Sequence, residues 1–75
     1  MSELVRSVVV RIVQYPEMVN VTEVEKDDTI TVEIRVAPDD MGRVIGKGGR
    51  VINAIRTIAK AGAYQDNTKV FVEVI

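Results

Sequence analysis

The sequence predicts one α+β domain of order α-β-β-α-α-β, a three-stranded mixed sheet with three helices on one face. Three observations carry that reading. Residues 3–15 repeat apolar side chains at helical spacing, and residues 29–37 alternate strictly. Residues 38–61 then hold two short helical patterns divided by the glycine cluster Gly46-Lys47-Gly48-Gly49. At 75 residues the chain is expected to be a single domain spanning 1–75, with little room for a separate catalytic core.

In the first segment Leu4, Val5, Val8, Ile12 and Val13 share one side, while Glu3, Ser7, Arg11 and Gln14 share the other. Its valines would suit a strand, but the period is helical. Ser2 is the expected N-cap and Tyr15-Pro16 the stop. Val19–Lys26 reads as a strand and Asp27-Asp28 as a tight turn. Thr29–Ala37 follows as a half-buried strand, with Ile30, Val32, Ile34 and Val36 inward. The two strands form an antiparallel hairpin.

Pro38-Asp39-Asp40 ends the hairpin and starts a short helix, with an aspartate as N-cap. Met41, Val44 and Ile45 have the spacing to face the core. A second helix runs from about Arg50 to Ala61, burying Ile52, Ile55, Ile58 and Ala59 and exposing Arg50, Asn53, Arg56 and Lys60. Gly62 is the expected C-cap. Tyr64–Thr68 is a polar turn, and Lys69–Ile75 is the last strand, with Val70, Val72 and Val74 inward. The crossover should be right-handed and the last strand parallel to Thr29–Ala37. The open sheet face would carry polar side chains together with Phe71 and Ile75.

Composition removes several function classes. There is no cysteine and no histidine, so disulfides, thiolate metal sites and the commonest acid–base group are absent. No metal or cofactor is expected. Asp39 and Asp40 read as helix caps and Glu33 as solvent-face polarity, so no enzyme is indicated. No apolar run approaches the roughly 20 residues of a membrane span. The opening Met1-Ser2-Glu3-Leu4-Val5-Arg6 lacks the pattern of a signal peptide, and a cytoplasmic location is expected.

Net charge is only −1, but it is segregated. From Met41 to Gln65 there are five basic residues, Arg43, Lys47, Arg50, Arg56 and Lys60, and no acid. The rest holds five basic residues against eleven acids. A basic face on an acidic body is expected. It falls on the glycine cluster, where missing Cβ atoms allow a ligand close to the backbone and the next helix offers N–H groups to an anion. A P-loop needs four residues between its first glycine and Gly-Lys-Ser/Thr; here three separate Gly42 from Gly46, and Gly48 replaces the hydroxyl residue. A dinucleotide GxGxxG would need a glycine where Val51 stands.

The run Gly42-Arg-Val-Ile-Gly-Lys-Gly-Gly-Arg-Val-Ile-Asn-Ala-Ile-Arg-Thr-Ile-Ala59 resembles the Val-Ile-Gly-x-x-Gly core of KH domains, and the element order resembles their type II arrangement. Length and motif are similar to the small bacterial single-KH proteins of the KhpA type. That resemblance implies an RNA-binding protein active in post-transcriptional control or as an RNA chaperone. It would form a homodimer and pair with a larger KH-containing RNA-binding protein. It also implies a GxxG loop, Gly46–Gly49, that clamps the backbone of about four unpaired nucleotides of RNA or single-stranded DNA. The implied contacts are Arg43, Val44, Ile45, Gly46, Lys47, Gly48, Gly49, Arg50, Ile52, Asn53 and Arg56, with bases over Val44, Ile45 and Ile52. Gly48 departs from the polar or basic residue often found there. The alternative is a protein-interaction subunit with a KH fold and little RNA binding of its own. With three aromatics, Tyr15, Tyr64 and Phe71, the chain lacks the stacking sheet of an RRM.

Overall fold

A computed structural model describes residues 2–62 and 68–75. Its order is α1 (Ser2–Val9), β1 (Asn20–Lys26), β2 (Thr29–Arg35), α2 (Met41–Ile45), α3 (Arg50–Ala61) and β3 (Lys69–Val74). Single 3-10 turns precede β1, precede α2 and join α2 to α3. The sheet order is β1-β2-β3, antiparallel between the first two strands and parallel between β2 and β3. The predicted α+β architecture with a mixed sheet is the observed one. The polar turn expected at Tyr64–Thr68 lies almost wholly outside the described residues.

The β2 alternation sets the layers. Val32 and Ile34 are fully buried and sit beside Val72 and Val74 of β3 in the register. Over them pack Val5 and Val9 of α1, Val44 of α2, and Ile52, Ile55 and Ala59 of α3, forming one apolar core. Lys26 pairs with Thr29, so the hairpin turns on Asp27-Asp28, with Asp27 in the left-handed region at φ 55°. Aspartate tolerates that conformation better than most side chains.

Several sequence expectations shift. α1 ends at Val9 rather than continuing to Tyr15, and tighter bonds from Arg11 and Ile12 N–H to the Val8 and Val9 carbonyls close it. The β-branched run Val8-Val9-Val10 lowers the helical preference just there. Leu4 is exposed and Val9 takes the core position instead. Ser2 lies within α1, and its N–H donates to Glu23 Oε1 at 3.0 Å, so a carboxylate from β1 serves the helix N-terminus. Ile45 and Ile58 are exposed, not core. A five-residue helix turns only Val44 inward, and in α3 the stripe Ile52, Ile55, Ala59 leaves Ile58 on its flank. Gly62 does follow α3, but at φ −80°, in the right-handed region.

The largest difference is at Asp40. Its carboxylate caps nothing in α2. It is fully buried, and its two oxygens accept the backbone N–H groups of Gln14 and Tyr15 at 2.9 and 3.0 Å. Arg43 Nε lies 3.4 Å from Oδ1. A residue at the entry to α2 thus ties down the segment leaving α1, 25 residues earlier in the chain. A buried carboxylate is tolerable only with such partners, and charge-assisted bonds to backbone N–H are among the stronger kinds.

Asp40→Ala should therefore strand two N–H groups and open a void, costing about 2–4 kcal/mol. At roughly 4–8 °C per kcal/mol in a domain this small, the melting temperature should fall by more than about 10 °C. Asp40→Asn, which keeps one acceptor, should fall less. A thermal melt of the alanine variant matching the parent would show that the buried contact carries no stability.

Candidate nucleic-acid interface

α2 ends because Gly46 leaves the helical region, at φ 77° and ψ 167°, while its N–H still reaches the Gly42 carbonyl at 2.8 Å. That conformation is essentially restricted to glycine. A Cβ on Gly46 would stand 2.6 Å from Val51 Cγ2 and 2.8 Å from the Val51 nitrogen. Lys47, Gly48 and Gly49 then form one 3-10 turn, closed by Gly49 N–H on the Gly46 carbonyl at 3.1 Å. Gly48 and Gly49 are both left-handed, at φ 65° and 79°. Arg50 begins α3 immediately after. Three positive-φ glycines in four residues thus fold the loop back over the first turn of α3.

The loop is bare on its outer side: nothing lies within 4 Å of a Cβ built on Gly48, and Lys47 and Arg50 are exposed. Asn53 lies one turn into α3, its amide near Gly49. Lys47, Gly48, Gly49, Arg50 and Asn53 are therefore brought to one end of the α2–α3 pair. Arg43 is exposed on α2 but leans on Asp40. Arg56 Nη1 donates to Asn53 Oδ1 at 2.8 Å, and its Nη2 donates to the Val72 carbonyl of β3 at 3.3 Å. Of the three apolar residues expected to floor the groove, Ile45 alone is exposed. Val44 and Ile52 are core residues that hold the two helices together.

Sequence reasoning missed two parts of this surface. Alternation marks Val72 only as an inward side chain, yet its backbone carbonyl is the acceptor for Arg56. Position alone makes Asp40 a cap, yet its carboxylate pairs with Arg43 and accepts from Gln14 N–H.

The family model described as KhpA/KhpB, KH domain, matches residues 2–74. The chain belongs to the KhpA/KhpB KH-domain family. It is 49% identical to RNA-binding protein KhpA of Clostridium perfringens over 75 residues, covering all of both chains. KhpA of Caldanaerobacter subterraneus subsp. tengcongensis is 45% identical over the same span, again with both chains fully covered. KhpA of Chlamydia trachomatis is 43% identical, covering all of this chain and 96% of that protein. Among solved structures, a GDP- and AlF4−-bound Era variant from Aquifex aeolicus superposes with a TM-score of 0.70 over 99% of this chain. At 21% identity, and with 30% of the Era chain covered, that likeness is one of fold. Among the described residues of this KH chain, no helix is long and apolar enough to cross a membrane.

The Gly46 geometry is open to a direct check. Gly46→Ala forces a glycine-only conformation and a clash with Val51, so it should cost at least about 2 kcal/mol. Gly48→Ala meets open space and should carry only the left-handed penalty of about 1–2 kcal/mol. Equal denaturant midpoints for the two variants would contradict the loop conformation described.

Proposed function

We propose that this chain is an RNA-binding protein that clamps short single-stranded RNA, or the equivalent DNA, through Gly46–Gly49. The observation that carries the proposal is the loop: three positive-φ glycines leave its outer side free of Cβ atoms where it opens onto α3. A sugar-phosphate backbone can approach such a surface closely, and the first N–H groups of α3 favour its negative charge. Lys47 and Arg50 add cations, and the acid-free stretch around them keeps the field positive. The printed names of the KhpA relatives, RNA-binding proteins, support the same assignment.

Within that reading the protein works in the cytoplasm as a post-transcriptional regulator or RNA chaperone, not as an enzyme. Binding and release of a few nucleotides by a small site suit such a role. One KH site covers about four nucleotides, so pairing two sites raises avidity. A homodimer through the open sheet face is favoured by a specific arrangement. Val24, Thr31 and Phe71 form one cross-strand row, and Val24 and Phe71 are both half exposed. Lys26, Thr29 and Lys69 flank the row on one side, and Thr22, Glu33 and Glu73 on the other. A two-fold axis along the apolar row sets each lysine row over the partner's glutamates. The end of α3 with the Ala61–Tyr64 turn, an alternative dimer surface, lies partly outside the described residues. A larger KH-containing RNA-binding protein is the proposed second partner.

Lys47→Asp tests the clamp without disturbing a glycine; adding Gly48→Asp would bring backbone strain, since Gly48 is left-handed. Titrated with a fluorescent single-stranded RNA, Lys47→Asp should bind at least about tenfold more weakly. Arg11→Asp, a charge reversal on the segment after α1, should bind like the parent. Parent affinity should fall with salt at a log–log slope of about −1.4 to −2.8, the release expected from two to four phosphates. In sedimentation at micromolar concentration the parent should run at twice 8.3 kDa and Phe71→Glu as a monomer. Parent-like binding by folded Lys47→Asp, or a flat salt response, would remove the clamp. A parent that sediments only as a monomer would remove the dimer.

A further inference from the structure

The outer edge of β3 is a row of backbone groups, and Arg56 occupies one of them. Lys69 and Ile75 N–H donate to the Asp28 and Ile34 carbonyls, so in this parallel ladder residues 69, 71, 73 and 75 turn their backbone groups toward β2. Val70, Val72 and Val74 accordingly turn theirs outward, and no described strand pairs with that side. At Val72 the outward pair is one N–H donor and one C=O acceptor. α2 and α3 both pack against β3, so this edge borders the surface that carries the glycine loop.

Arg56 changes what the edge offers. Its Nη2 donates to the Val72 carbonyl at 3.3 Å, and its Nη1 is held by Asn53 Oδ1 at 2.8 Å. A guanidinium has five N–H donors and no acceptor, so after these two bonds it still presents donors beside the Val72 N–H. One lone pair of the acceptor is taken, and the neighbourhood becomes donor-rich. An exocyclic amino group arriving at Val72 would meet a carbonyl already engaged by Arg56 and flanked by N–H donors.

We infer that Arg56, latched onto the Val72 carbonyl, is a specificity-determining residue that selects bases with two adjacent acceptors and disfavours adenine. Guanine presents O6 and N7 side by side, a pair suited to a bidentate guanidinium, and cytosine presents O2 and N3. On its Watson–Crick and Hoogsteen edges adenine sets its amino group beside its ring acceptor, so one of the two contacts becomes donor against donor. The inference rests on the reading of this surface as a single-stranded RNA site. It assigns Arg56 to base selection, where a generic basic residue would serve phosphate attraction alone.

The test uses the full chain and pentamers of the form UUXUU, with X as each of the four bases, read by fluorescence anisotropy. The parent should bind X = G or C about tenfold more tightly than X = A, in line with one good bidentate pair. Arg56→Ala frees the carbonyl, and the ratio should shrink to within about twofold. Arg56→Lys keeps the charge without the fork; it should preserve the salt slope and still lose the preference. Circular dichroism confirms that both variants remain folded, as expected for an exposed side chain. A preference unchanged in both variants, with all four oligomers weakened equally, would make Arg56 a phosphate contact and overturn the inference. A parent that binds all four equally would overturn it while leaving the RNA site standing. A parent that binds none would overturn both.

Discussion

The buried carboxylate of Asp40 is the contact on which the arrangement of this small domain depends. The segment after α1 ends without a partner strand among the described residues, and its N–H groups at Gln14 and Tyr15 find their acceptor in Asp40. The same residue stands one position before α2. One side chain therefore fixes both the exit of the first helix and the entry of the helix that leads into the glycine loop. With few core residues available, a domain this size gains much from a contact that spans 25 or 26 residues of chain. Arg43, itself exposed, completes the set from the rim, with its Nε 3.4 Å from the buried carboxylate.

From that anchor the loop geometry follows. α2 is too short to bury more than Val44, so it acts as a lever whose end is set by Gly46. Gly46 in turn is held against Val51, and no other residue fits there. The chain then turns through two left-handed glycines into α3, whose inner stripe is locked into the core. The result is a rigid, side-chain-free approach to the start of a long helix, with Lys47 and Arg50 beside it. Preorganised backbone of this kind costs little further ordering when a ligand binds.

Much of this was legible in the sequence because local preference and tertiary role agree. Strict alternation from Thr29 marked the central strand, and the stripe Ile52, Ile55, Ile58, Ala59 marked α3, which runs from Arg50 to Ala61. The glycines at 46, 48 and 49 marked the loop, and all three do occupy positive φ. Elsewhere local and tertiary signals part. A helical period ran on to Tyr15, but β-branched residues and the capture by Asp40 end α1 at Val9. Asp40 has the composition of a cap and the job of a long-range acceptor, which no local pattern encodes. Ile45 and Ile58 are apolar and helical yet exposed, because helix length and flank position decided their burial. The Arg56–Val72 bond joins a helix face to a backbone carbonyl sixteen residues away and leaves no trace in spacing.

The central claim is that a single nucleic-acid strand lies across the glycine loop and along the outer edge of β3. Amide chemical shifts of the labelled protein, followed while a short single-stranded RNA is titrated in, test it most directly. The account predicts the largest changes at Lys47–Val51 and at Val70, Val72 and Val74, with Arg11 and the row Val24, Thr31, Phe71 unmoved. Changes confined to that open-face row, with the loop amides unmoved, would contradict it.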